Sequence, residues 1–163
     1  MPQLIATQDQ PAARCNERAL ILVSCGSKKA ASTMPARALY TSPLFQKSAR
    51  WAEKQGQPWF VLSARHGLLH PNGDVAPYDQ TLHHMSPAER RQWARGVEHQ
   101  LLAVAQGWGV ERLKIVLLAG AAYGGWIPLV QTWCTVTEPM KGMQIGRRLQ
   151  WLTKQLDSAQ ETS

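Results

Sequence analysis

ALILVSC, from Ala19 to Cys25, opens with five apolar residues and no polar alternation. A strand with one wet face alternates, whereas one covered on both faces does not. Three further segments read as strands: PWFVLSA (58–64), RLKIVLLAG (112–120) and CTVTEP (134–139). Helical patterns separate them. In SPLFQKSARWAEKQG, Ser42 is placed to cap a helix, Pro43 suits its first position and Gly56 stops it. Leu44, Phe45, Ser48 and Trp51 then share one face. Ser86 followed three residues later by Glu89 is a capping box at the head of SPAERRQWARGVEHQLLAVAQG. AAYGGWIPLVQTW reads as a third helix, weakened by Gly124, Gly125 and Pro128. A last helix carries Ile145, Leu149, Leu152 and Leu156 on one stripe.

Strands that alternate with helices form a parallel sheet with helices on both faces. The expected fold is therefore α/β, a three-layer α/β/α sandwich. Its sheet has four parallel strands, starting near Ala19, Trp59, Leu113 and Thr135. GSKKAASTMPARALYT and the residues from Arg65 to Leu82 are read as loops. Residues 1–17 read as a loose arm, 18–157 as one domain and 158–163 as a frayed tail.

The 163 residues suit a single domain. Lys and Arg outnumber Asp and Glu by 18 to 11, giving a net charge of +7. Such a domain favours a polyanion, and nucleic acid, DNA above all, is the expected partner. No apolar run reaches spanning length and no basic amphipathic helix is evident, so a membrane partner is not expected. The first residues hold no apolar signal core, which points to the cytoplasm. The three cysteines form no C-x-x-C pair and stand apart from histidine, which argues against a metal site and a disulfide framework. No cofactor is expected either. The phosphate loop G-x-x-x-x-G-K-[ST] is absent, and GWGVER lacks the third glycine of a dinucleotide fingerprint.

Ligands of open parallel sheets bind beyond the carboxyl ends of the strands. Strand one delivers Cys25, Ser27, Lys28 and Lys29 to that edge. Strand two delivers Arg65 and His66 and, further on, Asp74, Tyr78 and Asp79. Strands three and four deliver Tyr123, Glu138 and Lys141. Asp74 in PNGD has the composition of a turn, while Asp79, after Pro77-Tyr78 and between apolar flanks, is expected to be partly buried. The tryptophans at 51, 93, 126 and 151 fall in helical patterns and read as core.

LVSCGSKK, ALYTSPLF, VLSARHGLL, PYDQTL, LLAG with Tyr123, and IGRRLQWL form an ordered set from about residue 19 to 152. This set resembles a family of small bacterial and phage proteins with a domain of unknown function. That family is distantly similar to the uracil-DNA glycosylase superfamily, to peroxide-stress DNA-binding proteins and to a domain of archaeal tRNA-modification enzymes. Some relatives are associated with defence against phages whose DNA carries modified bases. The resemblance implies a uracil-DNA-glycosylase-like sandwich and cleavage of an N-glycosidic bond in DNA. SCGSKK and SARHGLL stand where uracil glycosylases carry G-Q-D-P-Y and H-P-S-P-L motifs, so the implied substrate is a bulky modified base, such as glucosylated hydroxymethylcytosine in phage DNA, and not uracil.

Under that reading a carboxylate stabilises the oxocarbenium-like sugar and orients water. Asp79 is the first choice, with Glu138 and Asp74 behind it. His66 or Arg65 faces the leaving base. Lys28, Lys29 and Arg37 hold phosphates, and Tyr40 or Tyr78 stacks on a flipped base. The alternatives are a DNA-binding stress protein without catalysis, and an N-glycosidase or base-modifying enzyme acting on tRNA or nucleosides.

Overall fold

A computed structural model describes residues 16–161. Most of the expected arm, Cys15 within it, and the last two residues lie outside that range. The central strand β1 (Glu17–Ser24) pairs in parallel with β3 (Trp59–Ser63) on one side and β6 (Arg112–Leu118) on the other. Strand β7 (Cys134–Thr137) runs parallel to β6. These are the four expected strands, and their parallel direction is as expected.

The sheet nonetheless has five strands. Gly67–Leu69 forms β4, antiparallel to β3, and the order is β4-β3-β1-β6-β7. The segment expected to be loop thus returns at once to the sheet. Gly67 makes this possible with φ of +70°, a left-handed conformation that glycine adopts without a Cβ penalty. Three residues are too few to show alternation, so β4 left no periodic signal. The other expected loop carries β2 (Met34–Pro35), which pairs with β5 (Asp74–Val75), and a single turn of helix, α1 (Ala36–Leu39).

Alternate residues of β1 feed two cores, which is why its sequence does not alternate. Ile21 and Val23 pack with Phe45, Ala49 and Ala52 of α2 (Pro43–Lys54) and Leu152 of α5 (Ile145–Glu161). Leu20 and Leu22 pack with Val97, Leu101 and Ala105 of α3 (Pro87–Trp108). Helices therefore flank both faces. Ser42 caps α2, Pro43 opens it and Gly56 follows it with φ of +67°, as expected. Both halves of the Ser86–Glu89 capping box form. The last helix reaches Glu161, beyond the expected start of the tail.

The helix expected over residues 121–133 is broken. A 3-10 turn spans Ala121–Gly124, and α4 is only Ile127–Val130. Gly124 and Gly125 raise the entropy cost of a continuous helix, and Pro128 is accommodated only in the first turn of α4. Trp126, fully buried, anchors this segment and donates from Nε1 to the Tyr123 carbonyl at 2.7 Å.

Gly67 is also constrained by contact. A Cβ there would strike Oε1 of Gln100, which accepts from Leu68 N at 2.8 Å while its amide donates to His66 O at 2.9 Å. Gly67→Ala is expected to destabilise the protein by about 1–3 kcal/mol, from left-handed strain and loss of the Gln100 clamp. Urea denaturation of both proteins checks it, and an unchanged midpoint would contradict it.

Candidate functional site

Parallel strands bring their carboxyl ends to one edge of the sheet. Ser63, the last residue of β3, sits there fully buried. Its Oγ accepts hydrogen bonds from the backbone N–H of Arg65 (3.2 Å) and His66 (3.1 Å), which shapes the turn into β4. The same hydroxyl lies 2.6 Å from the Tyr78 hydroxyl, which lies 2.6 Å from that of Tyr40. With both Ser63 lone pairs occupied, its own hydrogen points to Tyr78. Tyr78 then donates to Tyr40.

A second string joins this one. Trp93 of α3 donates from Nε1 to the Ser63 carbonyl at 2.9 Å and meets the Tyr123 ring edge-on, centroids 5.9 Å apart. Tyr123 in turn hydrogen-bonds Cys25 Sγ at 3.3 Å. Lys29 caps the group, its Nζ 4.4 Å from the centroid of the Tyr78 ring and 5.8 Å from that of Tyr40. Backbone bonds from Ala30 N to Leu39 O (2.8 Å) and Thr41 N to Lys28 O (3.0 Å) staple the lysine loop beside Tyr40. His66 meets Tyr78 edge-on at 5.3 Å.

Cys25, Lys29, Tyr40, Arg65, His66, Tyr78 and Tyr123, which the sequence sent to this edge, are thus brought together. Lys28 and Ser27 are exposed beside them, and the Ser27 carbonyl accepts from Lys29 Nζ at 3.4 Å. Arg65, His66, Asp74 and Tyr78 line a hollow of about 410 Å³.

Other expectations need correction. Asp79 is exposed, not partly buried, and makes no hydrogen bond or ion pair among the described residues. Tyr78 turns inward at that point of the chain and takes the buried place. Tyr40 and Tyr78 are not open platforms for a base: their exposures are 0% and 8%, because each hydroxyl is satisfied by its neighbour within the fold. Arg37 does not join the lysine loop. It pairs with Glu53 at 2.5 Å and lines a groove with Trp59, Phe60 and Arg18, at the opposite, amino ends of β1 and β3. Glu138 and Lys141 pair with each other at 3.8 Å in a separate groove of about 520 Å³ beyond β6 and β7.

Three participants escaped the sequence reading. Trp93 sits in a helical pattern indistinguishable from core. Gln100 carries no motif. Arg148 lines the Glu138 groove, and its only signal was its place inside IGRRLQWL. Thr81, in PYDQTL, holds a buried hydroxyl oxygen with no hydrogen-bond partner. No group of three or more His, Cys, Asp or Glu that could hold a metal occurs among the described residues.

The electrostatics follow from burial. Desolvation pushes the Tyr40 phenol up to about 12. It also raises Tyr78 and Tyr123 well above the usual range, with the Cys25 thiol as the next cause for both. Burial, and then the neighbouring Arg65 cation, lowers His66 below its ordinary value. At neutral pH His66 is therefore predominantly the neutral imidazole. Burial raises the Cys134 thiol to about 11, which keeps it protonated at neutral pH.

The family of unknown function DUF6884 matches residues 20–154. This chain belongs to that family. The DUF6884 match contains every residue of the edge described above. A 69-residue stretch is 36% identical to the uncharacterized protein YfjM of Bacillus subtilis (strain 168), covering 38% of this chain and 46% of that protein. The match thus spans about half the length of that relative. No solved structure matches the chain.

This DUF6884 chain has three tyrosines in all, and each lies in the network. No phenol is expected to titrate near pH 10 while the protein is folded. Unfolded tyrosines ionise at about 10, so the folded state holds more protons above that pH, and stability is present below pH 10 and falls as pH rises toward about 12. Tyrosinate absorbance followed beside far-ultraviolet circular dichroism checks this. A phenol that ionises near pH 10 with the fold intact would contradict it.

Proposed function

We propose that this protein is a DNA N-glycosylase that hydrolyses the bond between sugar and a bulky modified base, leaving an abasic site. Under this reading the sandwich is uracil-DNA-glycosylase-like, the substrate is modified phage DNA such as DNA bearing glucosylated hydroxymethylcytosine, and the role is antiviral defence. The observation that carries it is the state of Asp79. Its carboxylate is exposed and free of partners among the described residues, one position beyond Tyr78, whose hydroxyl is held by two 2.6 Å bonds. A carboxylate fixed at its backbone and free at its oxygens suits a group that must face a cationic sugar. The structural alternative, an aspartate that holds the loop by accepting backbone N–H bonds, has no such bond to support it.

His66 supplies the other half. As a neutral imidazole lining the 410 Å³ hollow, it donates a hydrogen bond to the departing base. Exposed Lys28 attracts phosphate, and the net charge of +7 favours a polymeric anion over a free nucleoside. A base in duplex DNA must leave the stack to reach the edge. The buried tyrosines then serve as the rigid floor of the site and not as its stacking surface.

One observation favours a second reading, a DNA-binding protein without catalysis: the hydroxyls of Ser63, Tyr78 and Tyr40 are consumed by one another. The two readings part on one experiment. Modified and unmodified phage DNAs are incubated with the protein and abasic sites are counted. The glycosylase reading expects abasic sites in the modified DNA, reduced about 10²-fold or more in Asp79→Asn. The melting temperature of that variant should stay near wild type, since an exposed, unbonded side chain contributes little to stability. DNA binding without base release would favour the binder, and base release at the wild-type rate in Asp79→Asn would remove Asp79 from the mechanism.

A further inference from the structure

Arg148 is the cation that the features above leave unexplained. It lies in the first turn of α5 and is only partly exposed. Its Nε donates to the Met143 carbonyl at 2.8 Å, which fixes the plane of the guanidinium. Nη1 and Nη2 have no acceptor among the described residues. A side chain at Gly120, just past the end of β6, would place its Cβ 3.3 Å from Nη1 and 3.8 Å from Nη2. The glycine therefore lets the fork lie across the strand end.

That fork borders two spaces. One is a small cavity of about 50 Å³ whose lining includes Ser24, Cys25 and Gly26. The other is the groove of about 520 Å³ that contains Glu138 and Lys141. Arg148 thus connects the Cys25 side of the edge to the outer groove. Within that groove Lys141 and Glu138 offset each other at 3.8 Å, so the Arg148 charge is the uncompensated one. Its two Nη nitrogens have no protein acceptor among the described residues, and an oxyanion that accepts from both forms two charge-assisted hydrogen bonds.

We propose that Arg148 binds a phosphate group, and that the groove between the ends of β6 and β7 is a phosphate subsite. The planar fork suits two oxygens of one tetrahedral anion, which a lysine cannot match. Gly142 in the same groove has open space beside it and leaves room for close approach of the anion to the backbone. The net charge of +7 favours a nucleic-acid phosphodiester as its source, with free phosphate sharing the same chemistry. The subsite goes beyond the glycosylase reading and stands without it.

Two arms test it. In the first, inorganic phosphate is titrated at constant ionic strength, with chloride as the balancing anion, and the Arg148 Nε–H and Gly120 amide resonances are followed by NMR. A saturable shift of both is expected in the native protein, and no shift of the Gly120 amide in Arg148→Lys, which keeps charge but loses the fork. Gly120→Ala leaves the arginine in place and crowds it, so its phosphate affinity should drop while melting temperature confirms the fold. It carries the test should the Arg148 variants fail to fold. In the second arm, oligonucleotide affinity is measured against salt for the native protein, Arg148→Gln and the surface control Arg95→Gln. A log–log slope lower by about one in Arg148→Gln, beyond any change in the control, identifies the phosphodiester backbone as the source. A phosphate shift with an unaltered slope identifies free phosphate. Absence of a saturable shift together with an unaltered slope would overturn the proposal. Abasic-site counts on the same variants read the glycosylase separately.

Discussion

The edge of this protein depends on one buried hydroxyl. Ser63 closes strand β3 with no exposure at all, and a polar group so placed must be satisfied within the fold. It accepts the N–H groups of Arg65 and His66 and so sets the turn that returns as β4. It donates to Tyr78 and thereby pulls in a residue 15 positions further along the chain. Its carbonyl receives Trp93 from the helix on the opposite face. The turn, the loop and the helix are all referred to one residue. In a low-dielectric setting such a chain of short bonds is rigid when complete and costly when broken.

That rigidity explains how an open edge can hold its side chains in fixed positions. Tyr78 occupies the buried place, so the adjoining Asp79 points to solvent from an anchored backbone. Lys29 lies over the Tyr78 ring and is spent on the scaffold, while Lys28, one residue earlier, stays exposed. Adjacent residues of one motif thus divide between packing into the edge and facing solvent. The same division separates Glu138 and Lys141, paired in their groove, from Arg148, whose fork is open.

Much of the architecture was legible in the chain. Continuous apolar runs marked strands covered on both faces, and Ser42, Ser86 and Gly56 marked helix ends, because those signals act within a few residues. The carboxyl ends of the parallel strands then placed Cys25, Lys29, Arg65, His66, Tyr78 and Tyr123 at one edge, where the structure brings them together. What was not legible depends on pairing at a distance. The β4 strand is three residues long and exists because Gly67 turns and Gln100 receives it. The burial of Tyr78 and exposure of Asp79 follow from a hydroxyl bond across 15 residues, and adjacent positions in a loop carry no periodicity that would tell them apart. Arg37 leaves the edge because Glu53 is within its reach, a contact between two elements that local pattern does not encode.

The Ser63, Tyr78 and Tyr40 hydroxyls act as one unit. A double-mutant cycle on Ser63→Ala and Tyr78→Phe, with stability read by urea denaturation, tests it most directly. Each single change strands a buried partner and is expected to cost about 1–3 kcal/mol. The pair should cost less than the sum, with a coupling energy between about 0.5 and 3 kcal/mol. Additive costs, with coupling indistinguishable from zero, would show that the two hydroxyls contribute independently and that no such unit exists.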